Sequence, residues 1–192
     1  MGFLSVLSMA HRWVTERAGS GDTVIDATAG NGVDTLFLAQ TVGRGGAVFA
    51  FDVQEAALER TKRRLADSAA AESLAPVTLL RAGHERMSEL IPASLHGYVR
   101  AVMFNLGYLP GTDETLITVP ETTLPALEAA LGLLAPGGVL TAVLYPGHAG
   151  GDTEAAAVER WASALPGSRA QTVVYRFSQK RSAPFVIAVE KR

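Results

Sequence analysis

The chain has 192 residues, enough for one domain with a substantial core, and at 48% hydrophobic and 19% charged residues it is a globular composition. A formal net charge of −2 supplies no global basic field, so any nucleic-acid partner must be met by a local patch. The absence of cysteine excludes disulfides, thiolate metal sites and cysteine nucleophiles, and fits a cytoplasmic protein.

The opening MGFLSVLSMAHRW at 1–13 is apolar but broken by Arg12. It is too short to span a membrane and lacks the leading positive charge of a signal peptide, so it reads as an amphipathic helix. Strands are expected at TVIDAT (23–28), AVFAFDV (47–53), PVTLLRA (76–82), YVRAVMFN (98–105), GVLTAVLY (138–145), AQTVVYRF (170–177) and APFVIAVEK (183–191). Helical stretches fall between them at 35–42, 55–71, 84–91, 121–135 and 152–165. The middle strands are nearly continuous apolar runs, as expected where helices cover both faces of a parallel sheet. Strand–helix repetition implies right-handed crossovers and a Rossmann-like, doubly wound α/β sheet. No helix separates the last two strands, which are joined by SQKRS and must form an antiparallel hairpin. About seven strands, mostly parallel and closed by such a hairpin, is the plan of class I methyltransferases, whereas nicotinamide-binding domains continue with parallel strands. No repeat, linker or low-complexity tract divides the chain.

DATAGNGVDT at 26–35 places Gly30 and Gly32 where a strand turns into a helix, so the backbone can approach a ligand closely. The nicotinamide fingerprint needs a third glycine at position 35, where this chain has Thr35. In the methyltransferase pattern an acidic residue precedes alternating glycines; here Asp26 is followed by Thr28, Gly30 and Gly32, so the first glycine has become threonine. A plain strand-to-helix turn is the alternative. Asp52 ends the second strand about 20 residues after the glycines, where a carboxylate accepts from both ribose hydroxyls of an adenosine. Gln54 follows, and AGHE puts Gly83 and His84 after the third strand, where the adenine edge would lie. Asp34 reads either as a carboxylate facing a sulfonium or ammonium, or as an acid favoured by the start of a helix.

FNLGYLPG ends the fourth strand. Many amino-methylating enzymes carry Asn/Asp-Pro-Pro-Tyr/Phe here, in which a side-chain carbonyl holds the target nitrogen and the ring stacks on the base. Asn105 and Tyr108 keep the outer spacing, while Leu106 and Gly107 replace the prolines. A buried-strand turn with Tyr108 packed in the core is the competing reading. His148, in YPGHAGG, is the best candidate for a proton acceptor, unless its turn only shapes the acceptor pocket. His11, His84, His96 and His148 lie in different segments and suggest no metal cluster.

DATAGNGVDTLFLA, FDVQ, FNLGYLPG with the following TVPETT, YPGHAGGDTE and SAPFVIAVEK occur in this order over nearly the whole chain. Together they resemble the bacterial YtqB-like family, long labelled rRNA methylases and associated with methylating 5-aminomethyl-2-thiouridine at the tRNA wobble position. The resemblance implies S-adenosyl-L-methionine as donor, held by Asn31, Asp34, Asp52, Gln54 and His84, and a tRNA anticodon stem-loop as acceptor. Two departures stand out: Val33 where the family commonly has histidine, and Glu114 where it commonly has lysine.

RNA contact needs cations, and Arg176, Lys180 and Arg181 cluster at the final hairpin, with Arg12 and Arg17 on the first helix. A homodimer would join two such patches. Charged hairpin tips also protect sheet edges, and Arg60, Lys62, Arg63 and Arg64 read as a solvated helix face. The rival functions are methylation of rRNA or a small amine, an NAD(P) oxidoreductase, and a non-catalytic RNA-binding module.

Overall fold

The computed structural model describes residues 2–107, 118–147, 150–180 and 182–192. Tyr108, Glu114, His148 and Arg181 lie outside the described residues.

The first helix, α1 (Val6–Thr15), starts where Ser5 Oγ accepts from the Ser8 N–H and buries Val6, Ala10 and Val14, one stripe at fourfold spacing. It ends before Arg17, which therefore sits past the helix and is ion-paired to Glu190 at 2.7 Å. Then come β1 (Thr23–Asp26), α2 (Val33–Val42), β2 (Ala47–Asp52), α3 (Glu55–Ala66), β3 (Val77–Arg81), the single-turn α4 (Met87–Leu90), β4 (Val99–Leu106), α5 (Pro120–Leu133), β5 (Leu134–Leu144), α6 (Gly151–Ala164), β6 (Ala170–Arg176) and β7 (Phe185–Lys191). The strands form one sheet in the order β3-β2-β1-β4-β5-β7-β6. Pairs from β3 through β5 are parallel; β7 runs antiparallel to both β5 and β6. This is the expected mixed sheet with its closing hairpin.

Side chains alternate between the two sheet faces. Val24, Val48, Met103, Val143 and Val186 meet α1 and α2, while Ile25, Phe51, Phe104, Leu140 and Ile187 meet α5 and α6. Both faces are thus covered, which explains the nearly continuous apolar runs of β4, β5 and β7. On the edge strand β6, Val173 and Val174 remain exposed.

Some boundaries differ from the sequence reading. The helix expected over 55–71 stops at Ala66, and Ala71–Ser73 is a separate 3-10 turn. The helix expected over 84–91 is a 3-10 turn, His84–Arg86, followed by α4. The helix expected to reach Ala135 stops at Leu133, because Leu134 pairs with Val99 and opens β5. The register then slips at Pro136-Gly137-Gly138, where Gly137 has φ of 75°.

Candidate active site

The strand order reverses between β1 and β4, and the candidate residues gather at the carboxyl ends of the strands on either side of this switch point. β1 ends in Asp26, β2 in Asp52, β4 in Asn105 and Leu106, and Tyr145 follows β5.

Gly30 and Gly32 adopt φ of 53° and 75°, values that L side chains rarely take. Crowding adds to this at position 32, where a Cβ would lie 2.8 Å from the Thr61 Cα on α3. The turn is therefore pressed onto α3, and the basic face of that helix is not merely solvated: Arg64 Nε donates to the Asn31 carbonyl at 2.6 Å and Arg60 donates to Asn31 Oδ1 at 3.3 Å. Gly32 is the N-cap of α2, and the helix start has no side-chain cap bond.

Asp52 closes the same turn from the side. One carboxylate oxygen accepts from the Gly30 N–H and the other from the Gln54 N–H, both at 2.9 Å. The group is half-buried, and each oxygen keeps a lone pair for a further donor. Gln54 is the N-cap of α3, and the neighbouring Val53 is 56% exposed. His84 lies deeper than the sequence suggested. It is buried, its ring meets Phe104 edge-on at 5.6 Å, and burial, partly offset by Glu85 and a hydrogen bond to the Ala27 backbone, lowers its pKa. Gly83 caps its 3-10 turn with an ordinary negative φ.

Asp26, fully buried, accepts from Thr35 Oγ1 at 2.6 Å and from the Thr28 N–H at 3.1 Å. Burial first, and then the charge of Asp34, push its pKa up to about 7. Thr28, in the place of the pattern's first glycine, accepts the Asn105 N–H at 2.8 Å and so ties the end of β1 to the end of β4.

Asp34 does not cap α2. It is buried in the first turn and accepts from the Asn105 side-chain amide through Oδ2. Its Oδ1 meets His11 Nε2, on α1, at 2.6 Å. Asn105 Oδ1 lies 3.4 Å from the Tyr145 hydroxyl, whose pKa is raised by burial and by the Asp34 charge. His11 and Tyr145 were not singled out for this site in the sequence. The signal for Tyr145 is its position at the end of an apolar strand immediately before Pro-Gly; that for His11 is absent, since it sits on another element 23 positions from its partner.

Beside this cluster, Gly107 O accepts from the Thr118 N–H at 3.0 Å. Glu154 of α6, buried, accepts from Thr118 Oγ1 at 2.7 Å and Thr123 Oγ1 at 2.6 Å, joining the start of α5 to that of α6. Of the described cations proposed for RNA, those of the β6–β7 hairpin lie at the sheet end where Phe185 pairs with Leu144, beside the carboxyl end of β5. Arg176 is paired with Glu159 at 2.9 Å and stacks over Phe185 at 3.9 Å, and Arg12 pairs with Glu16; Lys180 is exposed at the hairpin turn.

The parallel sheet with its antiparallel end, and the glycine turn and carboxylates at the switch point, define a class I methyltransferase fold. The chain belongs to the family described as "Putative rRNA methylase", whose profile matches residues 48–190. It is similar over its full length to a "putative rRNA-methylase" from Clostridium thermocellum, with 37% identity, a TM-score of 0.92 and complete coverage of both chains. A "putative methyltransferase" from Streptococcus mutans, solved in complex with SAH, shares 32% identity with a TM-score of 0.86, again over both whole chains. The chloroplastic tRNA (mnm(5)s(2)U34)-methyltransferase of Arabidopsis thaliana is 41% identical over 177 residues, 90% of this chain. The chain spans 64% of the length of that relative. Among the described residues no helix is long and apolar enough to cross a membrane.

Proposed function

We propose that the protein is an S-adenosyl-L-methionine-dependent methyltransferase that methylates the aminomethyl nitrogen of a modified wobble uridine in tRNA. The observation that carries this reading is the end of β4, where Asn105 is held by Thr28 and Asp34 beside the glycine turn. The 41% identity to a tRNA wobble-uridine methyltransferase supports the acceptor, and a relative in complex with SAH supports the donor.

The donor set suits the cofactor. Asp52 offers a carboxylate for a ribose diol, Gly30, Asn31 and Gly32 allow close approach of the backbone, and the exposed Val53 with Gln54 gives an apolar and polar border for a purine. Gly83 and His84, at the 3-10 turn after β3, are assigned to the adenine side. S-adenosylmethionine supplies a methyl group already activated on a sulfonium. The chain's own task is to align the acceptor and exclude water. Asn105 Oδ1 accepts an N–H of the amine and orients its lone pair. An amide is no base, so the proton of an alkylammonium leaves to solvent before binding or to an acceptor, for which His148 is the candidate. Tyr108 stacks on the base.

For tRNA, Lys180 and Arg181 are the phosphate contacts, and the commitment of Arg176 to Glu159 and Phe185 gives that residue a supporting part. The anticodon stem-loop is the region engaged, and a homodimer would double the patch. The 192 residues act as one domain. An rRNA acceptor is the second reading, favoured by the family description and by the name of the Clostridium thermocellum relative. Nucleoside analysis of tRNA from cells lacking the protein tests the choice: the aminomethyl nucleoside should accumulate and the methylaminomethyl form disappear. Unchanged tRNA with an under-methylated rRNA would overturn it in favour of the second reading.

A further inference from the structure

An asparagine amide has two chemically opposite ends. Its oxygen accepts a hydrogen bond from an amine and leaves the amine lone pair free; its NH2 group, turned to the same place, would donate to that lone pair and block attack. Which end faces the acceptor is therefore decisive at Asn105, and the neighbours of Asn105 decide it. Asp34 Oδ2 accepts from Nδ2 and so fixes the NH2 group on its own side, leaving Oδ1 for the acceptor side, where the Tyr145 hydroxyl also points at it.

Asp34 itself needs holding. It is buried close to a second buried carboxylate, Asp26, whose ionisation it opposes. The bond from His11 Nε2 to Asp34 Oδ1, at 2.6 Å, supplies a donor on the side opposite Asn105. The imidazole is in turn fixed in plane: it lies face to face on Phe37, with centroids 3.8 Å apart and an interplanar angle of 3°. Docking of α1 does not require this bond, since Val6, Ala10 and Val14 already bury its apolar stripe and Tyr175 donates to the Leu4 carbonyl at 2.8 Å.

We propose that His11 is a positioning residue for methyl transfer: by donating to Asp34 it locks the carboxylate that holds the Asn105 amide with Oδ1 toward the acceptor amine. This rests on the reading of Asn105 as the ligand of that amine. The chain His11–Asp34–Asn105 crosses from α1 through α2 to β4, so the first helix contributes to the reacting end of the sheet without touching substrate.

The test uses the full chain, S-adenosylmethionine and tRNA bearing 5-aminomethyl-2-thiouridine. His11→Ala should lower the single-turnover rate at saturating tRNA by at least about tenfold, while cofactor and tRNA affinities stay near wild type. His11→Gln, which keeps a donor, should recover most of the rate. The double variant His11→Ala/Asn105→Ala should be no slower than Asn105→Ala alone, since both act on one amide. In 15N–1H spectra of the protein without tRNA, the Asn105 side-chain amide should shift and broaden in His11→Ala but not in His11→Gln. A folded His11→Ala with a wild-type rate, a Gln variant as slow as Ala, or additive losses in the double variant would overturn the proposal. An unchanged Asn105 amide signal in His11→Ala would overturn it without any substrate. If wild type transfers no methyl group to this tRNA while the amide signal still depends on His11, the acceptor assignment fails and the lock itself stands.

Discussion

The backbone N–H of Asn105 donates to the hydroxyl of Thr28 at 2.8 Å, so the residue that replaces a glycine in the methyltransferase pattern sets the position of the residue proposed to hold the acceptor. Thr28→Val removes the acceptor and leaves the amide unpaired, a penalty of about 1–3 kcal/mol. Urea unfolding should show that loss, and the methylation rate should fall with it; Thr28→Ser should restore both. Wild-type stability in Thr28→Val would mean the bond contributes nothing.

Asp52 is predicted to dominate cofactor affinity. Its carboxylate is the proposed partner of the ribose diol, and loss of charge-assisted bonds worth roughly 1.5–3 kcal/mol should weaken binding about ten- to a hundred-fold. Asp52→Asn is the better variant than Asp52→Ala, because it preserves one acceptor for the Gly30 or Gln54 N–H. Calorimetry with S-adenosylhomocysteine reads the effect, and undiminished affinity in a folded variant would remove Asp52 from the cofactor site.

Asp26 gives a pH signature. Its folded pKa, about 7, lies above the 3.8 expected unfolded, so between those values the native state binds the extra proton. Stability must then fall as pH rises through that window, and the cost of ionising the buried carboxylate is complete above it. Asp26→Asn abolishes this titration. The midpoint difference between variant and wild type should therefore move in favour of the variant from pH 5 to pH 8, measured by urea unfolding at a series of pH values. A constant difference would mean that Asp26 ionises normally.

The sheet was legible in the sequence because its signal is local. Nearly continuous runs such as those of β4 and β7 announce burial on both faces, and the short SQKRS connection allows only a hairpin. Boundaries decided by pairing were not legible: Leu134 leaves the helical pattern because Val99 offers it a strand partner. The glycine turn, Asp52 and Asn105 could be placed from spacing at strand ends. The partners of Asp34 could not, since His11 and Asn105 lie 23 and 71 positions away and reach it only through the packing of α1 and α2 against the sheet. For the same reason the arginines of α3 passed as a solvated face, although Arg64 reaches the Asn31 carbonyl.

Glu154 carries a stability prediction with a functional corollary. Glu154→Ala leaves the hydroxyls of Thr118 and Thr123 without their acceptor inside the protein, which should cost about 1–3 kcal/mol for each group that stays buried. Because Thr118 is hydrogen-bonded to Gly107 at the end of β4, the variant should also raise KM for the acceptor more than it changes cofactor affinity. Equal effects on both ligands would point to general loosening.

Lys180 is predicted to contact phosphate. Lys180→Ala should weaken tRNA binding and reduce the magnitude of the salt-dependence slope by about one, leaving cofactor affinity unchanged. A slope and affinity equal to wild type would move the RNA surface off the hairpin.

Nitrogen methylation at the wobble uridine can be read on purified protein. Undermodified tRNA carrying 5-aminomethyl-2-thiouridine is incubated with S-adenosylmethionine bearing a labelled methyl group, then digested and resolved by nucleoside mass spectrometry. The label should appear in 5-methylaminomethyl-2-thiouridine and nowhere else in the tRNA, and Asn105→Ala should slow its appearance by at least about tenfold. Label in another nucleoside, or no transfer to this tRNA by a protein that binds the cofactor, would contradict nitrogen methylation at the wobble uridine.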